Sequence, residues 1–94
     1  MPSAHELYRL SKLMNEMSLQ DRNQFIANTI TILEVDERDR CLNATESSDL
    51  AGFGNALKGA MQAPRLDVAW FHQLFKDNKN NPYFVRFLKR VLQK

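Results

Sequence analysis

Asn81-Pro82-Tyr83-Phe84-Val85-Arg86-Phe87-Leu88-Lys89-Arg90-Val91-Leu92-Gln93-Lys94 closes the chain and decides how the rest is read. Asparagine accepts hydrogen bonds from the free N–H groups of a helix start, and proline fits the first helical position. Phe84, Phe87, Leu88, Val91 and Leu92 then recur three and four residues apart. At about 100° per residue these side chains and Val85 share one arc, and Arg86, Lys89, Arg90, Gln93 and Lys94 fill the other. The segment is an amphipathic helix with an apolar front for a core and a cationic back for solvent or a partner.

Working outward, an Asp77-Asn78-Lys79-Asn80 turn precedes this helix, and before it lies the most aromatic segment. Asp67 is placed to cap a helix over about residues 66–77 containing Val68, Trp70, Phe71, Leu74 and Phe75, and Pro64 marks the break before it. Leu50, Phe53, Leu57, Ala60 and Met61 mark a helix of about 49–62, with Asn43 to Ser48 read as a turn that supplies caps. All three glycines, Gly52, Gly54 and Gly59, fall inside that helix. Each costs about 1 kcal/mol relative to alanine, so close approach by a neighbour is expected to offset them.

Towards the N-terminus, Ser3 and Glu6 have capping-box spacing, and Leu7, Leu10, Leu13, Met14 and Met17 extend a first helix over about 4–16. Ser18 opens a second, about 19–34, on Leu19, Arg22, Phe25, Ile26, Ile30 and Leu33. Residues 29–35 are rich in β-branched side chains and would suit a strand. No other segment alternates to pair with it, so helix is the expectation. Asp36 to Arg40 is a charge-dense run of mixed sign, read as a solvated helix end or the start of a loop. The fold class is therefore all-α, with four to five short helices in a single domain spanning 1–94.

Ninety-four residues make one core, hiding about 60–65% of the extended chain's surface. That leaves little margin, and a homodimer would supplement it. An apolar fraction of 44% with 26% charged residues is ordinary for a globular protein and argues against wholesale disorder. Net charge is +2, but residues 1–47 hold eight acids and five bases, whereas 48–94 hold three acids and eight bases. Such a gradient orients a molecule on an anionic partner without requiring nucleic acid. The one cysteine, Cys41, forms no internal disulfide, and no signal peptide or bilayer-length apolar run is present. A cytoplasmic location is expected.

The chemistry-bearing residues are sparse. His5 and His72 are far apart, Cys41 has no second cysteine, and the acids near Asp36 lack the glycine turn of a calcium loop, so neither a metal nor a cofactor is expected. Cys41, His72 and Asp67 or Asp77 form a nucleophile, base and orienter on paper only, and a partly buried cysteine at a helix end is the plainer reading. Gly52-Phe53-Gly54 lacks the third glycine and the preceding strand of a dinucleotide fingerprint. The chain is read as no enzyme.

Six aromatic residues fall between Trp70 and Phe87, and Trp70 and Phe71 point about 100° apart. Either a wide core wedge takes both, or a groove or dimer seam takes the surplus. Tryptophan, tyrosine and arginine also dominate binding hot spots. The expectation is a small regulatory or adaptor protein that binds another protein, acidic at the contact. Trp70, Phe71 and Tyr83 would supply apolar anchors, with Lys79, Arg86, Lys89, Arg90 and Lys94 as the cationic surface. The rival is a DNA- or RNA-binding transcriptional regulator using the same basic helix. Pro82 and Tyr83 stand where base-reading polar side chains would be needed. Membrane attachment through the amphipathic helix is the weakest reading, because a chain this small needs that apolar face for its own core.

Overall fold

A computed structural model describes residues 2–93 and builds them into five α-helices. These are α1 (Ala4–Glu16), α2 (Leu19–Arg38), α3 (Ala44–Ala60), α4 (Val68–Asp77) and α5 (Pro82–Leu92), with no strand among the described residues. The architecture is an all-α single domain, as the periodicity implied. A Cα radius of gyration of 12.9 Å is close to the roughly 12.4 Å expected for a chain of this length.

Every helix starts on a side-chain cap, which satisfies N–H groups that have no partner within the helix. Ser3 accepts from the Glu6 N–H at 3.1 Å while its own N–H donates to Glu6 at 3.0 Å, the reciprocal box read from the sequence. Ser18, Asp67 and Asn81 cap α2, α4 and α5, and Pro82 opens α5. For α3 the cap is Asn43, in a second reciprocal box with Glu46. This moves the start of α3 to Ala44, five residues before the expected position, because the Asn43–Glu46 spacing outweighs the turn-like composition of 43–48.

The β-branched run 29–35 is helical. Thr29 and Thr31 donate their hydroxyls to the carbonyls of Phe25 and Ala27, four residues back, so their polar groups are satisfied within the helix. Ile26, Ile30 and Leu33 supply the burial that overrides strand propensity. With no second strand to pair, the helix is the conformation that satisfies this backbone.

The core lies around α5, which packs against α1 and α3; α1 also packs on α4, and α3 on α2. Phe84, Phe87, Leu88 and Val91 are buried, as the amphipathic pattern required. Val85 is 44% exposed, so the apolar arc is narrower than the sequence suggested. Phe53 of α3 sits among α5 rings, 5.2 Å edge-on to Phe84 and 6.0 Å from Phe87, within the favourable range for aromatic pairs. Gly54 lies where α3 meets α2: a Cβ added there would stand 3.8 Å from Ile30 and 3.4 Å from Glu34. Gly59 has open space instead, so no close approach offsets its cost.

Polar clamps hold the α3–α4 connection. Ser11 and Asn15 of α1 both donate to the Leu66 carbonyl, at 2.7 and 2.8 Å, and Asn15 accepts from the Leu66 N–H at 3.2 Å. Arg22 of α2 is 2% exposed and donates to the carbonyls of Ala60 (3.2 Å) and Ala63 (2.7 Å) at the end of α3. A cation there complements the negative end of the α3 dipole. No helix among the described residues is long and apolar enough to cross a membrane.

Candidate functional site

The expected cationic surface resolves into a cleft where the end of α2 faces the back of α5. Leu33, Asp36, Glu37, Arg40, Arg86, Lys89 and Arg90 line a space of about 420 Å³. α5 delivers Arg86, Lys89 and Arg90 because they fall at three- and four-residue intervals on the arc opposite its core face. α2 runs to Arg38, four residues beyond its expected end, and brings Asp36 and Glu37 alongside; Arg40 follows in the turn.

Glu37 organises the cleft. Its side chain is 5% exposed, and it accepts from Arg86 Nη1 and, on both oxygens at 3.2 Å, from Arg40 Nη1. The Tyr83 hydroxyl donates to Glu37 Oε2 in a long 3.5 Å contact. A carboxylate buried this deeply is tolerated because charge-assisted donors replace the water it lost. Arg86 also lies over the Tyr83 ring, 5.2 Å from its centroid. Burial pushes the Tyr83 phenol above its ordinary range, and the Glu37 carboxylate adds to that shift while Arg86 opposes it.

The ion pair between Arg90 Nη2 and Asp36 Oδ2 is 2.9 Å long and solvent-exposed, with the two side chains 41% and 53% accessible. Exposed pairs of this kind contribute about 0–1 kcal/mol and exchange readily. Lys89 is exposed beside them.

Several sequence expectations need correction. Phe71 and Tyr83 are buried and present no apolar anchor at the surface; Phe71 belongs to the core under α4, and Tyr83 lies between Phe53 and Glu37. Trp70 is half-buried, standing edge-on to Phe71 at 5.2 Å. Arg86 and Arg90 are engaged by Glu37 and Asp36 rather than free. Lys79 lies in the α4–α5 turn, beside Ser48 and Asp49 of α3, and does not join the cleft. Lys94 lies outside the described residues.

Glu37 and Arg40 were missed, although a signal was present. Ile26, Ile30, Leu33 and Glu37 are spaced four, three and four apart, so Glu37 continues the buried stripe of α2. A charge on a core stripe announces a partner.

Cys41 and His72 are both exposed, Cys41 just after α2, where partial burial was expected, and His72 on α4. Cys41 has a positive φ of 53°, a left-handed conformation that follows the helix end. Among the described residues, no three His, Cys, Asp or Glu side chains group closely enough to hold a metal ion. Comparison with protein-family models, curated proteins and solved structures gave no match.

Proposed function

We propose that the protein is a non-enzymatic binding module that captures an acidic segment of another protein at the α2–α5 cleft. The observation that carries this reading is the convergence of Arg40, Arg86, Lys89 and Arg90 on one concave site, with Glu37 holding two of the guanidiniums from behind. Side chains already held in place lose less freedom on binding, which leaves more of the contact energy as affinity. Their charge steers an acidic partner and fixes its register. Tyr83 and Phe71 drop out of the contact set, and Arg40 enters it.

Nucleic-acid binding through the same cations is the rival. Asp49 and Asp77, offset by the single base Lys79, lie at the pocket beside the start of α5, where a recognition helix would approach a phosphate backbone. Acidic groups at that end disfavour the rival.

The test is a charge reversal that spares the fold. Arg86→Glu would set a second carboxylate against buried Glu37 and disturb the packing of α2 on α5 as well as the surface charge, so the informative variant is Lys89→Glu with Arg90→Glu. This variant should melt as a folded domain and lose a partner that the unaltered protein captures from its native host. Capture that survives both reversals refutes the assignment. Strong binding of a labelled random duplex that weakens steeply with salt would support the rival.

A further inference from the structure

We propose that the anionic group this cleft takes is a phosphate monoester dianion carried on a side chain of the partner protein; this rests on reading the cleft as the capture site for an acidic segment. Three observations lead there. The first is charge. Arg40, Arg86, Lys89 and Arg90 contribute four positive charges and Asp36 and Glu37 two negative ones, so the lining carries 4 − 2 = +2. A phosphate monoester brings about −1.5 to −2 at neutral pH and balances that surplus. One carboxylate, or one phosphodiester of a nucleic acid, brings a single charge and balances half of it.

The second observation is the donor inventory. Each of the three arginines spends one terminal nitrogen on a carboxylate: Arg40 Nη1 and Arg86 Nη1 on Glu37, and Arg90 Nη2 on Asp36. Nε and the other terminal nitrogen of each make no hydrogen bond to the protein among the described residues. Guanidinium forks suit a tetrahedral oxyanion with three acceptor oxygens, which can be contacted by several of them at once. A carboxylate offers two acceptor oxygens in one plane, whereas the phosphate offers a third outside it.

The third is the contrast between the two carboxylates. Glu37 is buried and keeps Arg40 and Arg86 in place whether or not a ligand is present. Asp36 is exposed and holds Arg90 only by a solvent-screened pair, so Arg90 can swing to an incoming dianion at little cost. Lys89, exposed on α5 between Arg86 and Arg90 in sequence, supplies a further charge.

The experiment titrates the full chain with one short acidic peptide made in three forms, with serine, glutamate or phosphoserine at its centre. Inorganic phosphate and a random duplex serve as separate arms. Calorimetry reads affinity, and the arginine Nε–H resonances report which guanidiniums are engaged. The phosphoserine form should bind at least about tenfold more tightly than the glutamate form, the scale of one additional charge-assisted hydrogen bond. Its advantage should shrink as pH falls below about 6, where the phosphate takes up a proton. Lys89→Ala, an exposed change to a good helix former, should remove most of the advantage without lowering the melting temperature.

Equal binding of the phosphoserine and glutamate forms overturns the phosphate assignment and leaves the acidic-segment reading standing. Inorganic phosphate binding as tightly as the phosphopeptide overturns the assignment to a partner's side chain. Failure of all three peptides overturns this inference and the proposed function together, as does binding of the duplex alone.

Discussion

Replacing Arg22 with methionine distinguishes two opposed expectations for a buried cation that makes no ion pair among the described residues. Methionine keeps most of the apolar stem that packs under α3 and deletes the guanidinium. Arg22 Nη2 donates to the Ala63 carbonyl at 2.7 Å and the Ala60 carbonyl at 3.2 Å, and Nε and Nη2 reach Asn23 Oδ1 at 3.1 and 2.9 Å. The Ala60 carbonyl also accepts the Ala63 N–H, so it keeps a partner when Arg22 is lost. The Ala63 carbonyl and Asn23 Oδ1 lose theirs. Hydrogen bonds from a charged donor contribute about 1.5–3 kcal/mol each, so the two lost contacts are worth about 3–6 kcal/mol. Removing the cation also removes its desolvation cost, which lowers the net destabilisation to about 2–4 kcal/mol. For a domain of this length that is a fall in melting temperature of roughly 8–30 °C. Thermal and urea unfolding followed by circular dichroism measure it directly. Arg22→Lys should recover only part of the loss, because an ammonium cannot fork between α3 and Asn23. Were Arg22→Met to melt at or above the unaltered protein, the buried guanidinium would be a net cost and the clamp argument would fail.

Three further outcomes follow from the backbone and from Tyr83. Gly59→Ala should stabilise by about 0.5–1 kcal/mol, because the added Cβ meets nothing within 4 Å and the helix gains propensity; an unchanged or lowered midpoint in urea would contradict this. Cys41→Gly should stabilise by about 0.5–1 kcal/mol by relieving the left-handed backbone at φ 53°, and destabilisation would show that the thiol packs usefully. In a Tyr8→Phe background, where Tyr83 is the remaining tyrosine, the phenolate absorbance should rise at a pH above the ordinary tyrosine value of about 10. A folded-state value raised in this way means the native state binds more protons than the unfolded one, so stability present below the ordinary value is lost as pH rises through the folded value. Titration at or below the ordinary value would place Tyr83 in water.

How much of this could be read beforehand depended on whether a residue's face or its neighbourhood was consulted. α1 was legible to its ends, because Ser3 and Glu6 form a local box and its apolar residues keep one period. The buried face of α5 was legible for the same reason, except Val85, which lies at the edge of the arc and falls outside the core. α3 was misplaced at its start because Asn43 to Ser48 has the composition of a loop, and composition does not reveal that Asn43 and Glu46 are reciprocal caps. Glu37 was lost in the same way, since Asp36 to Arg40 was weighed as a charged run and not residue by residue around the helix. Burial of Phe71 and Tyr83 was not legible: which of several adjacent aromatics faces inward is set by helices distant in sequence, as the Phe53 contact to Tyr83 shows.

The two buried charges of α2 also explain why this helix takes one position in the fold. Arg22 lies near its start and Glu37 in its last turn, each opposite in sense to what the helix dipole favours at that end. The dipole of the helix therefore stabilises neither, and each reaches another element: Arg22 the terminal carbonyls of α3, beside its bonds to Asn23 of α2, and Glu37 the Arg86 and Tyr83 side chains of α5, beside Arg40. The apolar stripe of Ile26, Ile30 and Leu33 between them would tolerate a slip of one turn, since leucine and isoleucine exchange places at modest cost. The charges would not, because a displacement of about 5.4 Å would strip Arg22 of the α3 carbonyls and Glu37 of Arg86 and Tyr83 at the same moment. Register is thus set by the polar ends of the stripe and adhesion by its apolar middle. Of the arginines that would meet a partner, Arg40 and Arg86 are held by the same carboxylate that fixes α2 against α5, and Arg90 by the neighbouring Asp36. The cleft is accordingly complete when the fold is complete, and loosening the Glu37 contact should disorder the binding surface before the core around Phe53 gives way.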